Sequence, residues 1–245
     1  MTVSNSLAPK NESKEQMVEF MAGGEQVKLT PSIVKNYLVS GDKDRVTTQE
    51  IVMFINLCKY AGLNPWMKEA YCIKYGNEPA TMVVGKEAFQ KRAEDHPAYD
   101  GDESGIIVID QNGVIKYRKG TMKLPEEEII GGYAEVWRKD RAHSKRVEVA
   151  FEEYCGRKKD GTLNSQWSKR PATMIRKVAI VQALRESFPN AFGGMYTAEE
   201  QGLDETNIID VTPAEQPKIE DHAPVEETKE ESKKSDAAAA LFGGN

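Results

Sequence analysis

Ile106-Ile107-Val108-Ile109-Asp110-Gln111-Asn112-Gly113-Val114-Ile115-Lys116-Tyr117-Arg118 reads as two short strands joined by a tight turn. Both arms are rich in β-branched and aromatic residues. They are joined through Gln111-Asn112-Gly113, whose Asn-Gly step is a hairpin signal. Downstream, Tyr133–Arg138 and Arg146–Phe151 form a second candidate pair, linked by the basic loop Lys139-Asp140-Arg141-Ala142-His143-Ser144-Lys145. A helix over Met174–Phe188 follows and stops before Pro189; Met174, Val178, Val181, Leu184 and Phe188 fall on one side of it. Upstream, Ala70–Lys74 and Thr81–Val84 read as a hairpin, and Lys86–Asp95 as a helix ended by His96-Pro97. Thr47-Thr48-Gln49-Glu50 is a capping box before the apolar stripe Ile51, Phe54, Ile55 and Cys58, with Gly62 as the stop. Pro31–Ser40 reads as a further helix capped by Thr30. Helices and hairpins alternate irregularly, without a βαβ rhythm, so the expected class is α+β. The expected organisation is a mobile segment over residues 1–29, a folded core over 30–201 and an acidic disordered tail over 202–245. The tail regains apolar character only in its last ten residues, Asp236–Asn245.

The charge distribution matters more than its sum. The chain of 245 residues carries a formal charge of −6, which taken alone argues against a nucleic-acid partner. From Glu199 to the last residue there are 13 acidic and 4 basic side chains, a net of −9. Residues 1–198 therefore hold 29 basic and 26 acidic side chains, a net of +3, and Arg138–Arg185 alone has 13 against 5, a net of +8. A mildly basic body with one strongly basic stretch and an acidic tail is compatible with binding an anionic polymer. There is no long apolar run for a membrane span and no basic-then-apolar start for a secretory signal. Cys58, Cys72 and Cys155 are scattered and odd in number, which suits reduced thiols in a cytoplasmic protein better than disulfides or a zinc site.

Several chemical readings compete. Ala80–Glu87 superficially resembles a phosphate loop, but Ala80 stands where glycine is needed and Glu87 where a magnesium-binding hydroxyl is needed. ATP use is therefore not expected, and no cofactor is implied. His96, His143 and His222 lie in unrelated segments and read as loop residues, with no carboxylate identified to orient a catalytic imidazole. The acid pairs Asp100/Asp102 and Glu152/Glu153 could hold magnesium for a nuclease, but solvated acids on turns and helix faces are the commoner case. The basic stretch, with Trp137, Tyr154 and Trp167 interleaved, fits either a solvated surface or a phosphate-binding one. Arg185 falls inside the apolar sector of the last helix, so it either pairs with an acid across a seam or faces a wet groove. Trp66 and Trp137 read as core residues ahead of base-stacking ones.

Ordered blocks then resemble a known family. Gly62-Leu63-Asn64-Pro65-Trp66-Met67-Lys68-Glu69 is similar to the GLNPW-x-KE signature of the Bet branch of the RecT/beta superfamily of phage single-strand annealing proteins. Val83-Val84-Gly85 before the helix bearing Phe89, Val136–His143, Gln166-Trp167-Ser168, Met174–Lys177, Ala183–Phe188 and Gly194-Met195-Tyr196 resemble its later elements in the same order. The resemblance spans roughly residues 45–200. It implies a non-enzymatic protein that binds single-stranded DNA and the annealed duplex in a basic groove. It also implies pairing of strands without ATP and assembly into rings or helical filaments, with a phage exonuclease and the host single-strand binding protein as candidate partners. Matching basic positions are Lys68, Lys74, Lys139, Arg176 and Arg185; charge and proximity add Arg141, Lys169, Arg170 and Lys177. The family's Arg-His-Lys stands here as Arg176-Lys177-Val178, and its Pro-Lys-Arg as Pro171-Ala172-Thr173 with Lys169 and Arg170 ahead of the proline. The acidic tail has no counterpart in the family's folded C-terminal domain. It reads as a solubilising extension, a competitor for the groove, or a carrier of a docking peptide at Ala237–Phe242. A passive single-strand coat and a metal-dependent nuclease are the rival functions.

Overall fold

The computed structural model of the protein describes residues 16–202. The readings made on residues 1–12 and on the tail beyond Gly202 lie outside that range. The architecture is α+β, as expected.

The folded part begins before residue 30. Strands β1 (Val18–Ala22) and β2 (Glu25–Leu29) pair antiparallel. Gly23 and Gly24 between them both take positive φ, 59° and 84°, the turn geometry whose twist matches two antiparallel strands. Val27 and Leu29 are buried in the main core. The hairpin is hard to see in sequence because each strand has five residues and carries charged side chains between its apolar ones. Helix α1 (Pro31–Ile33) starts where expected, with the Ile33 N–H donating to Thr30 Oγ1 at 3.2 Å. It does not continue to Ser40. It widens into a π turn, Val34–Leu38, and gives way to strand β3 (Val39–Gly41). The cause is tertiary: β3 pairs parallel with β4 (Ala70–Lys74), setting Val39 against Cys72. Gly41, at φ 85°, lies so close that a Cβ there would be 2.2 Å from the Lys74 carbonyl oxygen. Parallel strands need a long crossover, and α2 (Thr48–Ala61) supplies it. One βαβ unit therefore sits inside a fold otherwise built from hairpins.

Helix α2 has both halves of its capping box, and Gly62 closes it in the left-handed conformation. Strand β5 (Thr81–Val84) completes the order β3-β4-β5, and α3 (Lys86–Glu94) follows. The larger sheet is antiparallel, ordered β7-β6-β8-β9, from β6 (Tyr99–Ile109), β7 (Ile115–Lys119), β8 (Glu128–Arg138) and β9 (Lys145–Ala150). Helices α4 (Phe151–Tyr154), α5 (Ser165–Lys169), α6 (Pro171–Ser187) and α7 (Pro189–Phe192) follow.

Helix α6 lies across one face of the larger sheet and also meets α3 and α5. Its buried set is wider than a single stripe: Ile175, Ala179, Ile180 and Ala183 join Met174, Val178, Val181 and Leu184. A helix apolar on most sides is one that neighbours enclose. On β8 the positions facing it are small, Gly132 and Ala134. A Cβ at Gly132 would stand 2.7 Å from the Ile175 carbonyl oxygen and 3.0 Å from its carbon. Gly132→Ala must push α6 away from the sheet and should cost about 1–3 kcal/mol, as overpacking does. Urea unfolding should show a lower midpoint with an unchanged slope; an unchanged midpoint would mean that α6 is not seated this closely.

Candidate nucleic-acid interface

The GLNPW turn is a self-bonded unit. Asn64 Oδ1 accepts the Trp66 N–H at 3.0 Å, and the Asn64 N–H donates to Glu69 Oε2 at 2.8 Å. Glu69 Oε1 in turn receives Lys91 Nζ at 2.6 Å. Trp66 is 5% exposed, so it packs in the core as expected. The turn leaves Lys68 at φ 62°, the one non-glycine residue with positive φ among the described residues. That conformation is uncommon for a long side chain and persists where surrounding bonds enforce it.

The nine candidate DNA-binding cations have unlike environments. Lys74 is buried, 4% exposed, and its Nζ donates to Glu50 Oε1 at 2.7 Å. Glu50 also accepts the Ala80 N–H at 2.7 Å and the Thr47 N–H at 2.8 Å. Arg176 turns toward the larger sheet, its Nε–H donating to Ser104 Oγ at 3.0 Å. Lys177 and Arg185 turn the other way, to a strap formed by residues 195–201. Lys177 Nζ lies 2.8 Å from Glu199 Oε1. Arg185 grips both carboxylate oxygens of Glu200, donates to the Met195 carbonyl at 3.3 Å, and lies 4.9 Å from the Tyr196 ring centroid. Of the two readings open for Arg185 in the sequence, the structure has the ion pair across a seam.

The strap itself is built from a local signal. The Thr197 N–H donates to Glu200 Oε2 at 3.0 Å, one half of the capping-box geometry that Thr197-Ala198-Glu199-Glu200 encodes. Its backbone is tied to β5 by one bond, the Val84 N–H donating to the Tyr196 carbonyl at 2.8 Å. Sequence reasoning counted Glu199 and Glu200 with the acidic tail; the Thr-x-x-Glu spacing is the sign that they are structured.

Lys139, Arg141, Lys169 and Arg170 are exposed and form no salt bridge with any described residue. Lys139 and Arg141 sit at the β8–β9 tip, which is fastened to the C-terminal end of α6. Arg138 donates to the Ser187 carbonyl and lies 4.6 Å from the Phe188 ring centroid, and Lys145 pairs with Glu186 at 2.7 Å. Lys169 and Arg170 sit at the other end, where Arg170 both closes α5 and opens α6. A helix of 17 residues spans about 25 Å, so the two exposed pairs flank α6 and do not share one pocket. Beside the tip, Trp137 is 37% exposed, contrary to its reading as a core residue, because β8 alternates and this position faces away from α6. Trp167 is buried edge-on against Phe151, which removes it from base stacking.

Three of the alternative enzyme groups are engaged structurally. Asp102 accepts the Tyr99 hydroxyl, Glu152 pairs with Arg157, and His96 stacks 4.5 Å from Phe188 while its Nδ1 accepts the Ala98 N–H. His96 is thus half-buried against the core, not a free loop residue. Among the described residues no cluster of three or more His, Cys, Asp or Glu is arranged to hold a metal ion. No helix among them is long and apolar enough to cross a membrane. The three cysteines are buried and unpaired, and burial pushes the Cys72 thiol up to about 12.

The chain matches the family model described as RecT family over residues 24–213. It is 29% identical to an uncharacterized protein of Ureaplasma parvum serovar 3 over 165 residues, covering 66% of each chain. It is 26% identical to Recombination protein bet of Escherichia phage lambda over 162 residues, covering 64% of this chain and 52% of that protein. The aligned parts therefore fall short of two thirds of either relative's length.

The Lys74–Glu50 pair gives a pH signature. The bond from Lys74, followed by the Thr47 N–H, holds the Glu50 carboxyl down at about 2 against an ordinary 4.5. A depressed carboxyl stabilises the fold fully above its unfolded value and loses that contribution as pH falls toward its folded one. Glu50→Gln should lower stability at pH 7 and flatten the loss between about pH 4.5 and 2. Thermal unfolding curves that fall in parallel for both proteins over that window would contradict the pairing.

Proposed function

The chain belongs to the RecT family, and from that premise we propose that it pairs complementary DNA strands without ATP in phage-type recombination. The observation that carries the reading is the set of exposed cations that form no salt bridge with any described residue, Lys139, Arg141, Lys169 and Arg170, flanking α6 on this scaffold. Phosphates along one strand recur every ~3.4 Å, so a span of about 25 Å along α6 corresponds to several nucleotides. Backbone contacts of this kind position a strand while carrying no sequence information. Base edges are left free, and a second strand can then be tested for complementarity.

Each matched step of the product contributes about 1.4 kcal/mol of stacking. A few steps exceed thermal energy, so no nucleotide hydrolysis is required and no catalytic residue is assigned. Single-stranded DNA and the annealed duplex are the ligands, and several copies act together as a ring or helical filament. The described body is the binding and annealing unit, and residues 203–245 form an acidic extension. An exonuclease and a host single-strand binding protein are the candidate partners. Arg176, Lys177 and Arg185 join the contact surface only if DNA displaces their present partners, Ser104, Glu199 and Glu200. Lys74 would similarly have to leave Glu50.

The test is the annealing of two complementary fluorescent oligonucleotides, with magnesium and without ATP. The protein should accelerate pairing severalfold or more and leave both strands intact. Tight binding with no acceleration would reduce the protein to a passive coat, and magnesium-dependent loss of label would point to a nuclease.

A further inference from the structure

Helix α2 has an apolar side that the described body leaves open. Met53 is 54% exposed and Tyr60 83% exposed. Together with Leu57 they line one wall of a groove of about 550 Å³, whose other walls include Met82 of β5 and Tyr196 and Gln201 of the strap. Tyr196 is itself 46% exposed. Large apolar side chains clustered in this way, with a concave floor, mark a surface that something covers.

The chain itself brings a candidate to the rim. The strap is fixed there by the Glu199 and Glu200 ion pairs and by Gln201, whose Nε2 donates to the Met82 carbonyl at 3.4 Å. Gly202 then turns the backbone through the left-handed conformation. The residues that follow read Leu203-Asp204-Glu205-Thr206-Asn207-Ile208-Ile209-Asp210-Val211-Thr212-Pro213. Between Leu203 and Asp236, Ile208-Ile209 is the one place where two large apolar side chains adjoin, and Val211 follows at once. The family match also runs on to residue 213, past the strap and through this stretch, and stops before the acidic remainder. Five residues separate Gly202 from Ile208, so the six steps between them reach about 20 Å when extended.

We propose that Ile208–Val211 seats in the groove between α2 and the strap of its own chain, covering Met53 and Tyr60. Alternation along an extended segment puts Ile209 and Val211 on one face, toward the apolar wall, and Ile208 and Asp210 on the other. This assignment is independent of the annealing reading.

A cysteine pair in the full-length protein tests it without DNA. Tyr60→Cys on the exposed side of α2 is combined with Ile209→Cys; the native Cys58, Cys72 and Cys155 are buried and do not compete. Diamide oxidation should give an internally linked monomer, at least about tenfold faster than Tyr60→Cys with Glu230→Cys, since a seated segment has a much higher effective concentration than a loosely tethered one. Adding Val211→Asp should bring that rate down to the control. Equal rates for the two pairs would overturn the seating. Covalent dimers in place of linked monomers would overturn it too, and assign the groove to a second copy.

Discussion

Because Gly132 has no side chain, α6 can lie with the Ile175 carbonyl where a Cβ would otherwise be, and much of the body takes its position from that approach. The helix is held against β8 and β9 and encloses the core between the larger sheet and α3. Its C-terminal end receives Phe188, which His96, Tyr99 and Phe192 surround and over which the Arg138 guanidinium lies. Those contacts fasten the β8–β9 tip, and with it Lys139 and Arg141. At the N-terminal end the same helix begins at Arg170. The spacing of the exposed cations is thus a consequence of helix length and seating, not of the loops alone.

The candidate cations divide into two populations with different physical roles. Lys74, Lys177 and Arg185 lie in partly or largely buried pairs with Glu50, Glu199 and Glu200. Removing one member of such a pair leaves an uncompensated charge, typically at a cost of about 3–5 kcal/mol. Exposed pairs such as Lys119–Glu103 are screened by water, contribute little and can be exchanged for a phosphate at little cost. Loss of activity on mutating Arg185 would therefore mix lost strap anchoring with lost DNA contact, while the exposed cations at the two ends of α6 report on binding with little effect on folding. The strap also joins the two sheets' neighbourhoods: its backbone is tied to β5 by one bond and its acids hold α6.

The elements with strong local signals were legible in the sequence. The α2 capping box, the β4–β5 hairpin, α3 and the Asn-Gly hairpin stand where the residues imply. What was not legible depends on distant partners. Strand β3 has three residues and exists because Gly41 can lie against Lys74; read locally, the same residues continue a helix. The β1–β2 hairpin mixes charge into short strands, and the apolar breadth of α6 shows only once its several neighbours are in place. For the candidate interface, composition located the basic stretch but could not separate free cations from paired ones. The partners of Lys74, Lys177 and Arg185 lie 24, 22 and 15 residues away, beyond any helical spacing. Glu199 and Glu200 were readable as a Thr-x-x-Glu turn, yet their acidity grouped them with the tail.

The central claim is that strand binding runs through backbone phosphates held by the exposed cations flanking α6. The salt dependence of binding to an oligothymidine strand measures it most directly, because each phosphate contact adds about 0.7 to the slope of log K against log salt. Combining Lys139→Gln, Arg141→Gln, Lys169→Gln and Arg170→Gln should reduce the slope by about 2–3 and leave thermal stability unchanged. A variant with the parent's slope and affinity would contradict the account and move the DNA contact elsewhere on the protein.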